Sequence, residues 1–131
     1  GINNIQPIWA DHYFKTIANA KMGLNLSRGD AIKYYSSDRI TQIVGNGLVC
    51  LIDEQTKYRD FFDNNEMVFY KNENDLSEKI LKISRDEKLR KSIARKGKEK
   101  YMKYFNSTIV ADFIIEKTLG LDSKKKYFWH N

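Results

Sequence analysis

Two short apolar runs, residues 22–26 and 48–52, flank a polar loop and a short helix-forming segment, and that arrangement admits few folds. The second run, LVCLI, is continuously apolar, as expected of a strand covered on both faces. Between the runs lie a loop, residues 27–37, and a helix opening near Ser36 or Ser37. A strand, crossover helix and strand in this order form a parallel βαβ unit, whose ligands gather where loops leave the carboxyl ends of the strands. Here that loop contains Ser27 and Arg28 and leads into the helix start at Ser36 and Ser37. Unpaired N–H groups at the helix start, with Arg39 in its first turn, offer an anion a cradle and a fixed positive charge, and phosphate fits both. Plain capping by Ser-Ser-Asp beside a surface arginine is the other reading of the same residues.

The remaining elements place this unit in a small α/β domain. From Pro7, Tyr13, Phe14, Ile17, Ala18 and Met22 recur at helical spacing, which predicts a helix burying one face ahead of the first strand. After Asp53 come an irregular piece holding Tyr58, Phe61 and Phe62, an Asn-Asn turn and a third strand over 67–70. Asp75 with Glu78 and Ser84 with Glu87 resemble capping boxes for two charged helices. Asn106 or Ser107 caps a last helix, which Gly120 is placed to stop. The expected class is therefore α/β: half of a Rossmann-like domain, a three-stranded parallel sheet with flanking helices and a helical C-terminal end. Residues 1–120 form the domain, and 121–131 a basic, then aromatic, tail.

Composition narrows the chemistry. The 131 residues, 41% hydrophobic and 13% aromatic, suffice for one core. The net charge of +6 arises from 23 basic and 17 acidic residues that are interspersed, so a nucleotide or sugar phosphate is as good a partner as nucleic acid. Only the helix over 88–103, with Arg90, Lys91, Arg95, Lys96, Lys98 and Lys100, concentrates charge; it reads as a solvated face or as a nucleic-acid binder. The single Cys50 lies inside an apolar strand, which suits a small buried hydrophobe and a reducing, cytoplasmic setting. No membrane span or signal peptide is recognised. His12 and His130 have no cysteine or carboxylate cluster beside them, so no metal is expected, and no catalytic triad or paired-carboxylate pattern can be assembled. Asp53, just past its strand, has the position of a phosphoacceptor but none of the partner residues such a site needs; a loop acid is the alternative.

The segment SSDRITQIVGNGLVCLID, with AKMGLNLSR before it and EMVFYKNENDLSEKILKISRDEKLRKSIARKGKEKYMKYFN after it, resembles the C-terminal half of a GT-B glycosyltransferase. The similarity lies with the family 4-like, spore-maturation-protein-like branch and covers roughly residues 8–119. It implies binding of a nucleotide-sugar donor of UDP, GDP or ADP type, with no cofactor and no metal. By the same resemblance Ser36, Ser37 and Arg39 meet the donor diphosphate, and Gln42 falls where relatives place a glutamate that binds the donor ribose. Gln42 keeps a carbonyl acceptor but loses the charge. A second family glutamate would lie near Tyr34, which is no carboxylate. Gly45-Asn46-Gly47 matches the small-residue turn before the next strand.

In such enzymes three further strands and a separate N-terminal domain, which binds acceptor and supplies the catalytic base, precede this part. The opening Gly1-Ile2-Asn3 suggests a fragment of such a protein, inactive alone. A non-catalytic interaction domain that kept the fold is the second reading, and a basic nucleic-acid binder the third. The strand over 22–26 is then expected to lose a neighbour, its edge covered by residues 2–8 or paired with a second copy in a homodimer.

Overall fold

The computed structural model describes residues 7–27, 29–35, 37–121 and 125–130. Helix α1 (Ala10–Asn19) leads into β1 (Met22–Asn25), α2 (Asp38–Gly45) and β2 (Val49–Asp53), and two 3-10 turns at Glu54–Thr56 and Tyr58–Asp60 precede β3 (Val68–Tyr70). Three helices follow: α3 (Glu73–Arg85), α4 (Glu87–Tyr104) and α5 (Ser107–Leu119). The strands form one parallel sheet in the order β1-β2-β3, with Leu24 opposite Leu51 and Leu51 opposite Val68. This is the expected three-stranded α/β architecture.

Alternation along β2 divides the core. Cys50 and Ile52, with Phe69 of β3, face α2 and pack against Ile40, Ile43 and Val44. Val49 and Leu51, with Val68 and Tyr70, face Ile83 of α3 and Ile93 and Ala94 of α4. Burial on both faces is why LVCLI has no polar member. A Cβ on Gly23 would stand 2.5 Å from Cγ1 of Ile43, so the absent side chain lets α2 lie directly against β1. Near its other end α4 reaches the α2 face, where Tyr101 and Phe105 pack beside Phe62.

Several local expectations change. Helix α1 buries no residue; Phe14 is 70% exposed and Ile17 alone of the helix packs against the core. Helix α1 precedes the edge strand, and among the described residues no further strand lies beyond β1 for it to cover. Helix α3 is capped by Asn72, whose side chain accepts from the Asp75 amide, and not by Asp75; that carboxylate accepts from the Lys71 amide and from Lys79. Helix α4 is capped by Asp86, since the Ser84 hydroxyl donates back to the Ile80 carbonyl at 2.7 Å and leaves α3 running on to Arg85. Asn106 caps α5, and Gly120 ends it at a φ of 62°. Beyond α5, Tyr127 donates to Oε2 of Glu116 at 2.6 Å and Trp129 stacks on Phe105 with centroids 5.4 Å apart.

Candidate functional site

At the carboxyl end of β1 the strand finishes on a polar residue that its position buries. Asn25 is 2% exposed; its carbonyl oxygen accepts from the Ser37 hydroxyl at 3.0 Å, while Nδ2 has no partner. The hydroxyl of half-buried Ser27 is likewise enclosed without a partner. An amide donor in such a place costs roughly 1–3 kcal/mol unless something accepts from it. Ser37 is the N-cap residue of α2 by backbone geometry, yet its side chain makes no bond to the helix because Asn25 holds it. Among the described residues, the first-turn N–H groups of α2 therefore have no side-chain cap, and they share one end of the sheet with the two enclosed donors.

Arg39 is exposed in the first turn of α2, next to buried Ile40, and has no ion pair among the described residues. Of the residues expected at this site, Ser27, Ser37 and Arg39 thus lie around the β1 end and the α2 start, whereas Arg28 and Ser36 fall outside the described residues. Gln42 is half-buried one turn along, and its Oε1 accepts from the hydroxyl of Tyr13 on α1. Tyr34 turns elsewhere: at a φ of 59° its amide donates to the Thr56 carbonyl and its hydroxyl to Asp60 at 2.5 Å. Its ring lies 4.9 Å from that of Phe61 and lines an aromatic cleft of about 340 Å³ with Tyr58, Phe105, Phe113 and Trp129.

Two other candidates resolve into structure. The Asp53 carboxylate accepts from the Gln55 amide at 2.8 Å and caps the first 3-10 turn. The Cys50 thiol is buried, and burial pushes its pKa up to about 12, far from a nucleophile's range. Among the described residues no three His, Cys, Asp or Glu side chains cluster as a metal site would need, and no helix is long and apolar enough to cross a membrane.

Asn25 and the aromatic cleft escape sequence reading. A lone polar residue in MGLNL was the available signal for Asn25; the cleft is assembled from rings scattered between positions 34 and 129, which no local pattern connects.

A family model described as glycosyl transferase-like matches residues 1–116, nearly the whole chain. The chain belongs to the glycosyl transferase-like family. No curated protein and no solved structure is matched significantly. Family membership supports glycosyl transfer as the function, with a sugar donor or acceptor as partner.

Proposed function

We propose that the chain is the donor-binding part of a GT-B, family 4-like glycosyltransferase, holding the diphosphate of a nucleotide sugar at the start of α2. The observation that carries this reading is the buried Asn25 carboxamide. It draws Ser37 off the helix end and keeps a free N–H at the mouth of an uncapped helix. An anionic oxygen accepting from Nδ2, Ser27 and the first-turn amides would satisfy the enclosed donors, and Arg39 would add a charge-assisted contact. The residues present bind and orient; a catalytic base and an acceptor site belong to a partner domain in this reading, and a cytoplasmic setting accords with it.

Titration of the full-length protein with UDP, GDP and ADP, followed by amide chemical shifts, tests the proposal. Shifts at Asn25, Ser27, Ser37 and the first turn of α2 are expected, and they should vanish in Asn25→Leu. Unmoved amides from Ser37 to Gln42 with every nucleotide would overturn it. A second reading, a non-catalytic interaction domain, is favoured by one contact: Tyr13 occupies the carbonyl oxygen of Gln42, the acceptor a ribose diol would use. If no nucleotide moves these amides in wild type or in Tyr13→Phe, and the full-length protein transfers no sugar, that second reading prevails.

A further inference from the structure

The opposite end of the sheet carries a second concentration of charge that donor binding does not use. Lys21, just before β1, and Gly47, just before β2, form one wall of a groove of about 390 Å³ whose other wall is α4, with Arg90, Lys91, Ala94, Arg95 and Lys98. Five cations line it. The carboxylates beside it are Glu87, held by Lys91 at 2.6 Å, and Glu99, held by Arg95 at 2.8 Å, both on the exposed side of α4. Lys21, Arg90 and Lys98 have no ion-pair partner among the described residues.

Arg90 is the telling member. It is only 8% exposed, and no carboxylate or carbonyl among the described residues accepts from its guanidinium. The Arg90 charge helps to hold Glu87 ionised, and its guanidinium nitrogens keep some contact with solvent at the groove, so an anion there gains a charge-assisted partner on a stem that packing already fixes. A Cβ on Gly47 would stand 3.7 Å from the Lys98 stem, so the turn before β2 and α4 lie close together around a compact depression and do not form an open stripe. No aromatic ring lines it, which sets it apart from the stacking platforms of single-strand nucleic-acid binders.

We infer that this groove is a second anion site, at the amino end of the sheet and separate from the donor site, that takes a compact ligand with clustered phosphate oxygens. Free oligophosphate and an anionic lipid headgroup present that same chemistry. The groove joins α4 to the turns that start β1 and β2, so its ligand bridges elements from both walls and ties the amino end of the sheet together.

Two probes separate the sources: inorganic pyrophosphate, followed by amide shifts, and phosphatidylcholine vesicles with or without phosphatidylglycerol, followed by co-sedimentation. Shifts at Lys21, Gly47 and along residues 90–98 with pyrophosphate are expected. In Lys21→Glu/Lys98→Glu the affinity should fall about tenfold or more while Ser37 and Gln42 respond as before. Co-sedimentation that requires phosphatidylglycerol and disappears in the same double variant identifies a headgroup as the source and equally supports the site. Arg90→Met, which keeps the buried stem and deletes the charge, should weaken either response; if it fails to fold, the exposed double reversal decides alone. Responses confined to residues 37–42, no response to either probe, or retention on single-stranded RNA without either response would each overturn the inference.

Discussion

Arg39 is a fixed charge with no ion-pair partner among the described residues. Arg39→Ala is expected to weaken nucleoside diphosphate binding by about 1.5–3 kcal/mol while leaving the urea midpoint nearly unchanged, because the side chain is exposed. Calorimetric titration and denaturation of the same preparation check both halves, and a variant that unfolds while binding normally per folded molecule would make Arg39 structural. Cys50 gives a pH signature. Burial raises its thiol from an ordinary 9.0 to about 12, so the folded chain holds the proton more tightly than the unfolded one. The associated stability is complete below pH 9.0 and is lost as pH rises towards 12. Urea midpoints of wild type and Cys50→Ala should therefore converge over that range and run parallel below it. At this scale Ser37 and Arg39 were legible because helix-start chemistry is local, whereas Asn25 was not. Its meaning depends on a hydroxyl twelve positions away that only the fold brings near.

Helices carry the next level, and their periodicity was plain in the sequence while their ends were not. Asn72 and Asp86 won the caps over Asp75 and Ser84, because a candidate cap that finds a better partner inside the preceding turn stops being one. Asn72→Ala and Asp86→Ala should each cost about 1 kcal/mol in urea denaturation. Helix α4 also holds a glycine that no side chain can replace cheaply: a Cβ on Gly97 would stand 2.3 Å from the Glu66 carbonyl oxygen. Alanine gains about 1 kcal/mol in helix propensity, but driving the helix off the backbone before β3 costs more. Gly97→Ala is expected to destabilise by about 1–3 kcal/mol net. An unchanged or raised midpoint would show that the contact relaxes freely. The reading of α1 as a helix with a buried face failed for a reason outside its own sequence, since among the described residues no strand lies beyond β1 to give that face a partner.

For the whole molecule, the order β1-β2-β3 leaves β1 paired on one side only, and among the described residues no strand pairs with its outer edge. Residues 2–6 of the segment expected as a cover lie outside the described residues, and Pro7 cannot donate to a ladder. A two-fold dimer through β1 is the expected state by sedimentation velocity at micromolar concentration; a monomer at every concentration would contradict it. The three-stranded parallel sheet was readable because two buried runs and a crossover helix permit little else. The route of α4 was not, since amphipathic spacing fixes a face but not which partners meet it. That route shapes how the molecule comes apart. Ile93 and Ala94 are packed on one side of β2, and Tyr101 and Phe105 reach the other, so one continuous helix clasps both layers. Neither layer can peel away while the other stays shut. Amide hydrogens across the five residues of β2 should therefore exchange with solvent only through one concerted opening, all with the same free energy.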